Sequence, residues 1–246
     1  MMKYLNVITA LIAINLLFFF VSQSIIGHRL DPLELYFPKN EHAGIWQFFT
    51  HMFMHGGIFH LLMNMFGLWM FGTPLAKIWG KTRFLIFYFT TGIGAAIFYT
   101  SINYYRFDTI YSQLTNAGLS TADIQAMFDK SAYPPSIISE ETFVQFYQIM
   151  HSPMVGASGA IYGILVAFGT MFPNTKLMFI FLPFPIAAKY FIPALIALDL
   201  FLGLTGFSIF GGSISIAHFA HVGGALVGFL LVMFWRKKPS RSNFIQ

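Results

Sequence analysis

The 246-residue chain contains no cysteine and few charged residues. Without cysteine, a disulfide framework and thiolate chemistry are excluded. Charged residues make up 9% of the chain, whereas a soluble domain carries about 25%. Hydrophobic residues account for 57% and aromatic residues for 19%. This composition predicts a polytopic membrane protein whose core is buried in lipid as well as in itself.

Six apolar segments approach the ~20 residues that a helix needs to cross a bilayer. They are Tyr4 to Ile26, His60 to Ile78, Phe84 to Tyr105, Pro153 to Phe172, Tyr190 to Leu204 and Ile214 to Trp235. We therefore predict an all-α fold of six transmembrane helices in a single domain over residues 1–246. The first segment ends without a small-residue cleavage site, which favours a retained helix over a signal peptide.

The connections between these segments differ in composition. Residues 45–53 are rich in Trp and Phe, which prefer the membrane interface. Residues 106–152 are the longest polar region and are predicted to form an extended outer loop, with a short surface helix at 121–128. Residues 177–188 contain two prolines two positions apart. Because proline breaks helices, we predict a re-entrant or membrane-surface loop there.

The charged residues are distributed asymmetrically about the six segments. With the N-terminus in the cytoplasm, 10 of the 14 basic residues lie on the cytoplasmic side and eight of the nine acidic residues on the other. Basic residues favour the cytoplasmic face, so we expect both termini there, with residues 236–246 as a cytoplasmic tail, in the plasma membrane. Because the basic residues lie at segment ends, the net charge of +5 does not indicate nucleic-acid binding.

A serine and a histidine in two different segments form the candidate reactive pair. Ser158 lies among small residues in the run Gly156–Gly163, which opens segment four, and His221 lies inside segment six. An ionisable side chain within a membrane segment is a candidate for function. A serine that meets a histidine is the minimum set for nucleophilic acyl transfer, with the histidine as general base and then general acid.

Depth and small residues support this pairing. Segments two, four and six all enter from the outer side, which puts His221 about seven residues, or ~10 Å, into segment six and near the level of Ser158. Small residues four positions apart allow two helix backbones to approach closely. These residues are Gly159 and Gly163 in segment four and Gly224 and Gly228 in segment six. We therefore predict close contact between helices four and six. Ordinary glycine contacts, with the polar groups bonded to backbone, are the alternative.

Three further residues are candidates for supporting roles. His60 and Asn64 lie four positions apart and share one helix face. Both can donate a hydrogen bond to a developing oxyanion, as can the Ser158 backbone N–H at a helix N-terminus. An interhelical hydrogen bond is the alternative role for Asn64. Tyr162, one turn below Ser158, either stacks on the imidazole or packs in the core.

No acid is evident that would complete a triad. Asp199 lies about nine residues into segment five from the cytoplasmic side, a depth or face that can keep it from His221. We therefore predict a dyad, with a triad that includes Asp199 as the alternative. A metal site is the main rival, because several histidines are close in sequence. These are His51, His55 and His60, and His218 and His221. Because no acid is expected near them and there is no HExxH motif, we predict neither a metal nor a cofactor.

Taken together, the motifs resemble the rhomboid family of intramembrane serine proteases. The resemblance rests on residues 55–64 (HGGIFHLLMN), on residues 156–159 (GASG) with Tyr162, and on residues 220–228 (AHVGGALVG), and it covers about residues 45–235. One GxSG motif alone is weak evidence, but three motifs in order on the expected segments are specific.

This resemblance implies a role for each candidate residue. Ser158 is expected to be the nucleophile and His221 its base, with Tyr162 packed against the imidazole. His60 and Asn64 are expected to line the oxyanion site. The substrates implied are single-span membrane proteins, cleaved within the lipid bilayer in or near their transmembrane segment, after a small residue.

The resemblance also implies features of the surrounding loops. Residues 29–59 are expected to form a membrane-embedded first loop, residues 203–215 to cap a water-filled cavity, and segment five to gate lateral entry of substrate. Two features depart from the family pattern. Many members have arginine after the loop tryptophan, where this chain has Trp46-Gln47. The outer loop 106–152 is also longer than a compact rhomboid needs.

Two other classes of protein fit the sequence less well. A transporter usually shows internal repeats and helices broken at the membrane midplane, but this chain shows no repeat and its polar candidates cluster near one surface. A non-catalytic relative that binds membrane helices would lack the serine or the histidine, and both are present.

Overall fold

The computed structural model of the protein describes residues 2–25, 31–179, 182–205 and 215–236. Most of these residues are helical. The α-helices are α1 (Met2–Ile25), α2 (Gln47–Thr50), α3 (Ile58–Gly67), α4 (Thr73–Asn116), α5 (Thr121–Asp129), α6 (Glu140–His151), α7 (Ser158–Met171), α8 (Ala188–Thr205) and α9 (Ser215–Arg236). Two 3₁₀ turns, Asp31–Leu33 and His51–Phe53, lie in the first loop, and a π-helical turn, Leu68–Gly72, joins α3 to α4.

Three stretches within these described ranges are long and apolar enough to cross a membrane. They are Ile58–Asn116, Ala188–Thr205 and His218–Trp235, while Val7–Ser22 and Ser158–Met171 are apolar but shorter. The first stretch is interrupted at Gly80, where φ is 76° and ψ is 168°, between the second and third predicted segments. α7 has only 14 residues, because the chain just before it is not helical. Helix length and composition therefore identify three stretches of the described residues that can cross a membrane. They do not account for all six crossings that the sequence predicts.

The connection from α7 to α8 contains a β-hairpin where the sequence predicts a re-entrant or membrane-surface loop. Strand β1 (Lys176–Phe179) pairs antiparallel with β2 (Leu182–Ala187), with Lys176 opposite Ala187. The two prolines of β2 lie two positions apart, so both missing N–H groups fall on the same edge of the strand. Because a two-stranded hairpin leaves one edge of each strand unpaired, the prolines are compatible with it.

Helices α4, α7 and α9 form the centre of the fold, and glycines allow α7 and α9 to touch. A Cβ built on Gly224 would overlap the carbonyl group of Gly159, and one built on Gly228 would lie 2.5 Å from the Cα of Gly163. Any side chain at these positions would therefore push the two backbones apart. This contact sets the distance between the N-terminal turn of α7 and the second turn of α9.

The predicted outer loop is a small helical layer. α4 continues to Asn116, 11 residues beyond its predicted end at Tyr105, and the additional helix α6 follows α5. α5 begins with a capping box, in which the Asp123 N–H donates to Ser120 Oγ at 3.2 Å. The layer has its own core of buried aromatic and aliphatic side chains. Among them are Phe107, Leu114, Phe128, Phe143 and Phe146.

The first loop is organised around Gln47, which stands where many rhomboids have arginine. Its side chain is 0% exposed and its carboxamide makes four hydrogen bonds to loop backbone. Oε1 accepts from the N–H groups of Tyr36 (3.2 Å) and Gly44 (3.0 Å), and Nε2 donates to the carbonyls of His42 (2.7 Å) and Pro32 (3.4 Å). A neutral amide, which has both donors and acceptors, thus joins backbone groups spread over residues 32–44 of the loop.

Candidate active site

Ser158 and His221 lie together at the contact between α7 and α9. Ser158 Oγ is 2.9 Å from His221 Nε2, a normal hydrogen-bond distance. Ser158 is the first residue of α7, and His221 is six residues into α9. Both residues are partly exposed.

Tyr162 packs flat against the imidazole of His221. The two ring centroids are 4.2 Å apart and the rings are inclined by only 8°. Tyr162 follows Ser158 by one turn of the same helix, so its ring covers one face of the imidazole while the serine hydroxyl meets Nε2 at the ring edge. Of the two roles that the sequence leaves open for this tyrosine, the structure has the stacked one.

Asp199 also reaches the histidine, which corrects the expectation that no acid is placed to orient it. Asp199 Oδ1 is 3.3 Å from His221 Nδ1 and is also hydrogen-bonded to His218 Nδ1. The Tyr162 hydroxyl donates to Oδ2 of the same carboxylate. The side chain of Asp199 is buried, with 5% of its residue surface exposed.

The error in the sequence argument is the end of segment five from which the depth of Asp199 is counted. Segment five was measured from its entry at Tyr190 alone, which placed Asp199 at an uncertain depth. α8 ends at Thr205, six residues beyond Asp199, and His221 lies six residues into α9 from Ser215. At 1.5 Å per residue both groups are ~9 Å from the ends of α8 and α9 that are adjacent in the chain. Counting from that end would have placed the acid and the histidine at the same level.

An acid does lie near two of the histidines, which corrects the expectation that none does, while the predicted absence of a metal stays a prediction. Within the described ranges, the group that could hold a metal ion is Asp199, His218 and His221, whose donor atoms lie within 4.8 Å of one another. In the structure these atoms are already hydrogen-bonded to each other through Asp199 Oδ1. His51 instead uses Nδ1 to bond the Gln47 carbonyl at 2.8 Å.

His60 lies beside the serine, on the far side of Gly156. A Cβ built on Gly156 would lie 2.7 Å from His60 Nε2 and 3.7 Å from Ser158 Oγ, so the imidazole and the hydroxyl border the same small space. Gly156 has a φ of 114°, in the region that favours glycine, and its N–H donates to the His51 carbonyl at 2.9 Å. This turn leads the chain from α6 into α7 and ties it to the first loop at His51.

Asn64 is buried one turn from His60, but its amide is directed at its own helix. Asn64 Nδ2 donates to the His60 carbonyl at 2.9 Å. The structure therefore places the residue near the site without joining it to Ser158 directly. Its predicted oxyanion role remains a prediction, as do those of His60 and of the backbone N–H groups at the start of α7.

The space beside Ser158 is small. A cavity of about 10 Å³, bordered by His51, Gly156, Ser158 and Ala220 among others, has room for about one water molecule. A polypeptide therefore needs part of the protein to move before it can reach the serine. The predicted cap over residues 203–215 falls largely outside the described ranges.

A comparison with family models decides the class of the protein. The model of the Rhomboid domain matches residues 42–238, which include every candidate residue described above. The chain belongs to the rhomboid family. Rhomboid-family proteins are in general intramembrane proteases, and this rhomboid chain is accordingly a multi-pass integral membrane protein.

Curated relatives of this rhomboid are similar over most of its length. Rhomboid protein 1, mitochondrial, of Saccharomyces cerevisiae is 26% identical over 225 residues, which cover 92% of this chain and 52% of the yeast protein. Presenilin-associated rhomboid-like protein, mitochondrial, of Rattus norvegicus is 26% identical, with 92% of this chain and 48% of the rat protein covered. RHOMBOID-like protein 1 of Arabidopsis thaliana is 24% identical, with 91% and 42% covered.

These relatives limit what can be carried over to this rhomboid. The chain spans about half the length of the curated yeast and rat relatives. The names of the yeast and rat proteins place those proteins in mitochondria. The predicted plasma-membrane location of this chain gains no support from them.

Proposed function

We propose that the chain is an intramembrane serine endopeptidase that cleaves single-span membrane proteins in or near their transmembrane segment. The observation that carries this proposal is the 2.9 Å approach of Ser158 Oγ to His221 Nε2 on two helices that touch through glycines. A serine without an adjacent base is a weak nucleophile. The pairing supplies that base within the membrane domain of a family whose members are in general proteases.

The proposed reaction uses the two residues in sequence. His221 Nε2 takes the proton of Ser158 as Oγ attacks the carbonyl carbon of the scissile peptide bond. The imidazolium then gives this proton to the leaving amine, and an acyl-serine ester remains. Water, deprotonated by the same nitrogen, hydrolyses the ester and restores the serine. No metal or other cofactor takes part in these steps.

Charge develops on the carbonyl oxygen during both attacks, and hydrogen-bond donors near Ser158 stabilise it. The backbone N–H groups in the first turn of α7 have no acceptor within the helix. His60 lies across Gly156 from the serine, and Asn64 is one helical turn from His60. We assign these groups to the oxyanion site, with Asn64 requiring a change of side-chain rotamer to reach it.

The proposed topology has six crossings, with both termini on the more basic, cytoplasmic side. The break at Gly80 separates the second crossing from the third, and the short α7 spans together with the non-helical residues before it. The whole chain, residues 1–246, then forms one membrane domain with 106–152 as an outer layer and 236–246 as a cytoplasmic tail. The partners are the lipid bilayer and the membrane-protein substrate, with no nucleic acid.

The function is tested by reconstituting the protein in liposomes with a labelled single-span substrate. We expect cleavage by the wild-type protein and none by Ser158→Ala or His221→Ala. Ser101→Ala and His151→Ala make the same chemical changes on α4 and α6, away from the site, and should cleave as the wild type does. Cleavage retained by Ser158→Ala would contradict the proposed nucleophile.

A further inference from the structure

Three hydrogen-bond donors converge on Asp199, on the side of His221 that faces away from Ser158. His221 Nδ1 and His218 Nδ1 both bond Oδ1, and the Tyr162 hydroxyl bonds Oδ2. The carboxylate is 5% exposed and His218 is 8% exposed. The Ser-His reaction described above does not by itself require any of these contacts.

This arrangement determines which nitrogen of His221 carries the proton. A carboxylate only accepts hydrogen bonds, so a histidine nitrogen bonded to it must donate. The hydrogen of neutral His221 therefore lies on Nδ1, which leaves a lone pair on Nε2 facing Ser158 Oγ. With the opposite tautomer, Nε2 would carry a hydrogen and could not accept the proton of the serine.

We propose that Asp199 is a positioning residue that fixes the tautomer and orientation of His221, and that His218 and Tyr162 hold the carboxylate in place. The proposal rests on the proposed function and extends its dyad by Asp199, which contacts His221, and by His218 and Tyr162, which contact Asp199. The proton stays on the imidazole throughout. When His221 accepts the proton of the serine, the resulting cation is stabilised by the carboxylate 3.3 Å away, and no proton passes to Asp199.

The hydrogen bonds from His218 and Tyr162 explain how Asp199 can stay a carboxylate although it is buried. A buried charge is costly unless it is paired or fully hydrogen-bonded, and a single 3.3 Å contact with His221 is a weak partner. His218 and Tyr162 supply the remaining donors to both oxygens. The tyrosine thereby contacts His221 twice, by ring stacking and through Asp199.

Conservative variants separate these contacts. Asp199→Asn keeps the volume but removes the charge and adds a donor. His218→Asn can keep a donor at the place of Nδ1, whereas His218→Ala removes it. Tyr162→Phe removes the hydroxyl and keeps the ring that stacks on His221. All are made in the full chain, and each variant is checked for helicity and monodispersity.

Turnover of the liposome substrate is the first readout. We expect Asp199→Asn to lower kcat by up to about 10⁴-fold, the loss that follows when the tautomer-fixing acid of a serine protease is replaced by Asn. KM should change less than about threefold, because substrate binding is not affected. His218→Asn should cleave faster than His218→Ala. Wild-type kcat in Asp199→Asn, or equal rates for the two His218 variants, would overturn the proposal.

The tautomer itself is the second readout, and it does not depend on turnover. In protein labelled with ¹⁵N at histidine, the His221 resonances are assigned by their loss in His221→Asn. We expect a neutral ring protonated at Nδ1 in the wild type and at Nε2 in Asp199→Asn. An Nε2-protonated ring in the wild type would refute the positioning role whether or not the protein cleaves. Absence of cleavage with an Nδ1-protonated ring would instead refute the proposed function alone.

Discussion

Replacing Gln47 by leucine should destabilise the protein without touching the candidate active site. Leucine has a similar size but cannot make the four backbone hydrogen bonds of the carboxamide. Pro32 O keeps another donor, because Trp46 Nε1 bonds it at 2.6 Å, and the exposed His42 can turn to solvent. The main loss is therefore the acceptor of the N–H groups of Tyr36 and Gly44.

The expected cost follows from the burial of these two groups. A buried donor deprived of its partner costs about 1–3 kcal/mol. Tyr36 is buried and Gly44 is half-buried, so we expect Gln47→Leu to lower the free energy of unfolding by about 2–4 kcal/mol. Gln47→Glu should also be destabilised, because it keeps the two acceptors but brings a negative charge against the carbonyls of His42 and Pro32.

Unfolding is followed by circular dichroism during titration of the detergent-solubilised protein with sodium dodecyl sulfate. Gln113→Leu is the matched control, since it makes the same change on the exposed surface of α4, where substitutions usually alter stability by less than about 0.5 kcal/mol. If Gln47→Leu unfolds at the same detergent fraction as Gln113→Leu, the loop does not depend on this amide and the reasoning fails.

Three further outcomes are expected. Gly224→Ala should lower stability by about 1–3 kcal/mol and abolish substrate cleavage, because its Cβ would overlap the Gly159 carbonyl, whereas Gly56→Ala, with its nearest neighbour at 4.0 Å, should keep both. Asn64→Ala should lower kcat by up to about 10³-fold with little change in KM if the amide serves the oxyanion, and unchanged kcat would remove that role. Burial lowers the pKa of His51 to about 4, so the folded protein binds fewer protons than the unfolded chain below an unfolded pKa near 6.5. The free energy of unfolding should therefore be highest above pH 6.5 and fall by about 2–3 kcal/mol towards pH 4.5. In His51→Asn this free energy should change visibly less with pH. An equal change in the wild type and the variant would assign the loss to other groups.

The sequence locates the reactive pair because two independent constraints agree there. The charge asymmetry places the starts of three segments on one side, and the glycines four apart allow two of those segments to touch. In the structure the touching glycines are Gly224 with Gly159 and Gly228 with Gly163. The close approach of the two backbones depends on glycines four positions apart, which can be read directly from residue type and spacing.

The features that the sequence missed depend on where helices begin and end. Asp199 was misjudged because depth was counted from the wrong end of its segment. α6 follows Ser139, whose Oγ accepts from the Thr142 N–H at 3.2 Å, and it has two acids in its first turn. Both are helix-start signals that polar composition obscured. The role of Gln47 could not be read from sequence, because its partners are backbone groups 3 to 15 residues away whose positions depend on the folded loop.

The central claim, that His221 activates Ser158, is tested most directly by labelling the solubilised protein with a fluorophosphonate probe. Such a probe forms a covalent bond only with an activated serine. The account predicts labelling of the wild type and of His151→Ala, and none of Ser158→Ala or His221→Ala, when all four are folded and monodisperse. Equal labelling of the wild type and His221→Ala would contradict it, because the serine would then be reactive without the histidine 2.9 Å away.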